Sequence, residues 1–437
     1  MRWLCAGAMA LAWALVAVAP VAAFDGFGEA TADSTYDRQI RFDVELAGDE
    51  PDRLELLLST PGSDSKFVVP VNPGAADANY VWNTGAEYVA PNTLVTYQWR
   101  ATDGEDVVLS EVATILYEDD RPGLDWQGAQ LGETTVHWYG DAEAQAMRFG
   151  ELAAIGVEQG EALLGTELAG PVDVFIYDSR EDFFGALGPG AREWTGAAAF
   201  NEIRTIFMWL GGGPPDYLET AMLHEITHIV FFDATDNPYH DPATWLNEGI
   251  ATWSETEDGA QHTEFVRARA RAEGLFAFEA ISERFPIGDL GGNLSYSQGT
   301  AMIDFVIDRY GREAIALLTA AYRDGASDEE ALQAATGVSA DELYAAFYAE
   351  FGVDAPMPVE PEPIAPSNVD IPEPGEVDPG GVDGGPSAAP GEPAPAGPPG
   401  ETAVQPWVVF IVLAVAVAIV ALVAVLIARR AARGASG

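Results

Sequence analysis

Two histidines four residues apart with a glutamate beside the first, His224-Glu225-Ile226-Thr227-His228, carry the clearest chemical signal in this 437-residue chain. On a helix, residues at i and i+4 share a face. Both imidazoles can therefore reach one metal ion at about 2.0–2.1 Å. Glu225 is rotated away from that pair, enough to touch a metal-bound water rather than the metal. Composition alone predicts roughly 0.009 such matches in a chain of this make-up, and two of its five histidines occupy the motif. Further along, Trp245-Leu-Asn-Glu-Gly-Ile-Ala-Thr-Trp253 reads as the start of a second helix. Its Glu248 is a candidate third ligand. A His, His, Glu set leaves a fourth position for water, which is the catalytic rather than the structural arrangement.

These residues need a scaffold. The segment Asp216–Phe232 is expected to be helical: Pro214-Pro215 opens it, and an acidic first turn suits the positive end of the helix dipole. Before it, Thr134–Tyr139, Val172–Tyr177 and Ile203–Trp209 read as strands, with a helix over Asp141–Leu164 and a short one from about Ser179. After it, helices dominate to Gly352. Residues 119–351 are thus expected to form an α+β domain, mostly helical with a small sheet.

The pair His224-Glu-x-x-His228 and Asn247-Glu248-Gly249-x-Ala251 resembles the gluzincin metallopeptidases, and more closely the peptidase MA-like domains among them. The resemblance covers roughly residues 130–350. It implies a zincin-like fold, Zn2+ held by His224, His228 and Glu248, and Glu225 as general base and acid. It also implies a tyrosine that helps hold the oxyanion, for which Tyr296, ahead of Ser297-Gln298-Gly299, is the candidate. By the same resemblance Ile203–Trp209 is either the edge strand that pairs with substrate or a core strand with no substrate role, and the loop Gly211-Gly212-Gly213 lets that edge move or simply connects. Thermolysin-like members place an aspartate four residues after the glutamate ligand to orient a zinc histidine. Thr252 stands there in this chain. No aminopeptidase-type exopeptidase motif is evident, and His137, His240 and His262 read as structural or surface residues.

Residues 24–118 alternate apolar and polar residues in short runs: Ile40–Leu46, Arg53–Leu58, Lys66–Val71, Leu94–Ala101 and Val107–Tyr117. Pro, Gly, Asn and Asp punctuate them, which predicts an antiparallel β-sandwich. Its Thr-Tyr-Gln-Trp-Arg-Ala-Thr-Asp-Gly stretch resembles an immunoglobulin or fibronectin type III hairpin. A spacer, a docking module or a cover over the site are its possible uses.

The two ends suggest an address. Residues 1–23 read as a signal peptide, with Arg2, an apolar run and small residues Val21, Ala22 and Ala23. Residues 352–405 are rich in Pro, Gly, Ala and acids without one basic residue, as expected of an extended stalk. Residues 406–428 read as a transmembrane helix, long enough at roughly 33 Å to cross a bilayer core. Arg429, Arg430 and Arg433 follow it in a short tail, residues 429–437. The expected topology is type I, single-pass in the cell membrane, with the catalytic domain outside.

With 69 acidic and 21 basic residues the net charge is −48, which argues against a nucleic-acid partner. Cys5 is the only cysteine and lies in the signal region, so no thiol serves as ligand or nucleophile. The expected partner is a peptide or protein substrate, together with the membrane. Two other readings remain: a cell-surface scaffold with a structural zinc site, and a zinc hydrolase of non-peptide amides. Glu225 favours the peptidase, because a structural site needs no general base.

Overall fold

The computed structural model describes residues 24–356, apart from 64, 75, 189–195, 273, 287–288 and 355. The expected signal peptide, most of the stalk, the transmembrane helix and the tail lie outside the described residues. Among the described residues no helix is long and apolar enough to cross a membrane.

The N-terminal part is sheet-rich. Strands β1 (Phe24–Thr35), β2 (Gln39–Gly48) and β5 (Asp77–Trp82) form one antiparallel sheet. Strands β4 (Phe67–Val71), β3 (Arg53–Ser59), β6 (Thr93–Asp103) and β7 (Asp106–Leu109) form the second, with β8 (Ala113–Tyr117) also on β6. In β6 every second residue from Thr93 to Ala101 is buried. That period of two sends Val95, Tyr97 and Trp99 into a core shared with Phe42 and Leu56. The run Val107–Tyr117, expected as one strand, is two. Ser110 interrupts it by accepting the Trp99 N–H on its hydroxyl at 2.9 Å, in place of a regular ladder partner.

A five-stranded sheet follows, ordered β12 (Ala197–Phe200), β13 (Thr205–Trp209), β11 (Val172–Tyr177), β10 (Thr134–Trp138), β9 (Gln127–Leu131). Strands β10, β11 and β13 run parallel, while the outer two are antiparallel to their neighbours. One face is covered by α1 (Glu143–Leu164) and α3 (Pro215–Thr235), which share a core with Val136, Val174 and Ile206. The other face carries α2 (Arg180–Leu187) and an aromatic cluster around Tyr177, Phe183 and Phe207.

Of the two readings of Ile203–Trp209, the core strand is the one observed. The 203–209 segment, β13, is an interior strand held by β11 on one side and β12 on the other. The edge is β12, four residues long and otherwise unremarked in the sequence. The loop Gly211-Gly212-Gly213 is packed rather than merely flexible. Trp209 N–H donates to Gly196 O at 2.9 Å. A Cβ on Gly212 would stand 2.7 Å from the Gly196 Cα, so only glycine lets the loop lie against the start of β12.

The remaining layer is helical: α4 (Thr244–Ser254), α5 (Ala260–Ala272), α6 (Asp289–Tyr310), α7 (Glu313–Arg323), α8 (Asp328–Thr336) and α9 (Ala340–Glu350). Its core contains Trp245, Leu246, Phe278, Met302 and Phe347. The β-rich part is joined to the sheet by polar contacts. Tyr36 and Tyr88 hydroxyls donate to the α2 carbonyls of Gly185 and Ala186 at 3.0 and 2.6 Å. The Asn92 amide donates to Thr205 Oγ1 at 2.9 Å. Arg121 pairs with buried Asp119, which also accepts from Tyr177 at 3.0 Å.

Candidate metal centre

Helix α3 begins with Pro215 at its first turn and Asp216 beside the N-terminus, both suited to that end. Leu218, Met222, Ile226 and Ile229 bury one of its faces against the sheet. That burial sets the helix's rotation, and His224 and His228 fall on another side of it. Helix α4 brings Glu248 opposite. The ligand atoms of His224, His228 and Glu248 all lie within 4.8 Å of one another. Glu248 Oε2 stands 3.4 Å from His224 Nε2 and 3.6 Å from His228 Nε2.

The position of Glu248 depends on close helix packing. A Cβ on Gly249 of α4 would come 2.7 Å from the Gly299 carbonyl carbon, and one on Gly299 of α6 would come 2.5 Å from Trp245 O. Backbone meets backbone there, which carries Glu248 and Tyr296 to the same place.

The other ring nitrogens are engaged, so both Nε2 atoms turn inward. His228 Nδ1 is 2.8 Å from Asn247 Oδ1, and His224 Nδ1 is 3.0 Å from Glu255 Oε1. Such partners fix tautomer and ring orientation in metal sites. Thr252, where thermolysin-like members have an aspartate, is buried and its hydroxyl reaches neither histidine. Glu255, at the C-terminal end of α4, takes that place, a substitution that only the folded arrangement reveals.

The electrostatics suit a cation. Burial would depress the His224 imidazole, but hydrogen bonds to Glu248 and Glu255 outweigh it and push its pKa up to about 10. Burial would raise the Glu248 carboxyl. The hydrogen bond to His224, the charges of both histidines and the Tyr296 hydroxyl nevertheless hold it below the usual range. Glu248 Oε2 is buried and lacks a hydrogen bond of ordinary length, the two imidazole Nε2 atoms facing it at 3.4 and 3.6 Å. An orphaned carboxylate oxygen costs free energy in an apolar setting. Facing two imidazole nitrogens, it fits a zinc ion, and the donor set is the nitrogen and oxygen type zinc takes.

Glu225 lies beside this cluster, its Oε2 accepting the Ala199 N–H of β12 at 2.8 Å. Tyr296 is exposed, its ring centroid 6.3 Å from that of His224 and 4.9 Å from that of Phe285. Tyr217 was not singled out in the sequence. It is exposed on the first turns of α3 and, seven residues before His224, lies on the same helical stripe. Spacing from His224 was the signal that could have found it.

The other histidines stay out of the cluster. His137 binds Asp173 at 2.7 Å and stacks on Phe175. His240 lies in the loop after α3, its N–H donating to Asn237. His262 Nδ1 is 3.1 Å from Ser297 Oγ, next to Tyr296.

Residues 153–351 match the family model described as the Peptidase MA superfamily. Among solved structures the chain is similar to an M1 zinc metallopeptidase from Deinococcus radiodurans, at 16% identity and a TM-score of 0.33. That likeness covers 75% of this chain and 92% of the other. It is also similar to an aminopeptidase N family protein from Idiomarina loihiensis, at 8% identity and a TM-score of 0.35, over 68% of this chain and 70% of that one. Among curated proteins no sequence matches the chain.

Proposed function

We propose that this chain carries a zinc metallopeptidase domain of the gluzincin type that hydrolyses peptide bonds with Glu225 as general base, tethered outside the cell on its C-terminal segment. The observation that carries the catalytic part is the convergence of His224, His228 and Glu248 within 4.8 Å, with Glu225 alongside.

In this reading His224, His228 and Glu248 hold the zinc, with Asn247 and Glu255 orienting the imidazoles. Zinc bound there supplies a more acidic water and a polarised carbonyl. Glu225 takes the proton of the attacking water and delivers it to the leaving amine. In the same reading the Tyr296 hydroxyl donates to the oxygen on which charge develops. The strand order of residues 24–118 supports reading them as an immunoglobulin- or fibronectin-like sandwich. The apolar, charge-free run Trp407–Ala428 followed by arginines supports the tether, and the apolar residues 3–18 support export.

The test is hydrolysis of a quenched peptide library by the purified protein, with Glu225→Gln and a chelator as controls. Cleavage lost in both controls supports the reading. Folded, zinc-containing protein that cleaves nothing contradicts it.

A further inference from the structure

Beyond the zinc site, the face of the sheet turned toward the N-terminal sandwich carries a second feature. Strand β12 alternates: Ala197 and Ala199 pack with the helix-side core, while Ala198 and Phe200 pack with the opposite aromatic cluster. Its outer edge is unpaired by any described strand, and the Ala199 N–H on that edge reaches Glu225. One residue further, Phe200 lines a groove of about 260 Å³ shared with the sandwich. Phe67, Trp82, Tyr88, Val89 and Ile203 line it too, and Glu202 is the one charged residue among its walls.

Two of these rings are held by their polar ends. Trp82 donates to Glu87 at 2.9 Å and Tyr88 donates to Ala186 O at 2.6 Å. Tyr88 is 40% exposed and Phe67 57%. Trp82 and Tyr88 are thus apolar surfaces fixed in place, and Tyr88 and Phe67 are left open to water, which favours a ligand side chain over collapse.

We infer that the sandwich supplies a specificity subsite: the groove takes an apolar side chain of an extended peptide lying along β12. The peptide's presence rests on the peptidase reading, and its place on the continuity of β12 with the groove. A peptide added to β12 lies about 4.8 Å outside it and points alternate side chains to opposite faces. Those on the Ala199 face meet the metal site. Those on the Phe200 face, toward the end of the strand, meet the groove. A residue distant from the scissile bond is thereby read by a part of the chain that contributes nothing to the zinc site.

The test separates binding from turnover. Full-length Glu225→Gln protein is titrated with extended peptides in which one Leu is scanned along an otherwise Ala, Ser and Gln sequence, followed by fluorescence anisotropy. Leucine at one register tightens binding about tenfold, and Phe67→Ser, whose ring is more than half exposed, abolishes that gain. Removing the leucine and Phe67 together costs no more than removing either alone. Binding that ignores Phe67→Ser at every register, or no binding, overturns the inference. The wild-type chain is assayed for hydrolysis of the same peptides. Binding that depends on Phe67 without turnover removes the peptidase reading and keeps the groove; turnover with binding indifferent to Phe67 removes the groove alone.

Discussion

The Ala199 N–H donates to Glu225 Oε2 at 2.8 Å, so the edge strand β12 and helix α3 are joined through the proposed general base itself. The contact holds the carboxylate beside the cleft. It also sets a requirement on any substitution, since the replacement must still accept that N–H.

Glu225→Gln meets that requirement through its amide oxygen but has no basic oxygen to take a proton. Hydrolysis should fall by about 10²–10⁴-fold, the usual worth of a general base. Zinc content measured by atomic absorption should be unchanged. Loss of zinc along with activity would place Glu225 among the ligands instead.

Glu255 orients His224 from a position no sequence pattern marked. Glu255→Gln should weaken zinc binding by about 10–100-fold, as measured by competition with a chromogenic chelator. Thr252→Val, at the position where thermolysin-like members carry an aspartate, should leave zinc affinity as it is. Equal effects at both positions would argue for general destabilisation of α4.

The meeting of Gly249 with Gly299 leaves no room for a methyl group on either backbone. Gly299→Ala should force α4 and α6 apart and cost about 1–3 kcal/mol, read as a drop in Tm. Glu248 would move with α4, so zinc affinity should fall in the same variant. A stable variant with intact zinc binding would show that the helices can slide.

His262 gives the chain one predictable pH response. Burial lowers its pKa below 6.5, partly offset by the charge of Glu255. Above 6.5 the imidazole is neutral in both folded and unfolded chains and contributes nothing. As pH falls below 6.5 the unfolded chain takes up the proton first, so stability is lost until the folded-state pKa is passed. His262→Gln should remove that loss, seen as a shallower fall in Tm on going from pH 7 toward pH 5 relative to wild type. A steeper fall would mean that the folded chain favours the charged imidazole.

The sequence alone determined the parts that depend on local periodicity. The spacing of His224 and His228 puts them on one face of any helix they occupy, and the alternation from Thr93 to Ala101 makes a half-buried strand wherever it pairs. Glu248 was legible because its motif lies within a single short helix. Tertiary structure decided the rest. Strand β12 is Ala-Ala-Ala-Phe, and alanine has little intrinsic preference for strands; only its pairing with β13 makes it one, and its position outside β13 makes it the edge. Glu255 rather than Thr252 reaches His224 because the choice depends on how α4 is rotated against α3. That rotation is set by burial of Trp245, Leu246 and Ile250 and by the approach of Gly249 to Gly299. Contacts between residues far apart in the chain leave no period in the sequence, so the packing alone could reveal them.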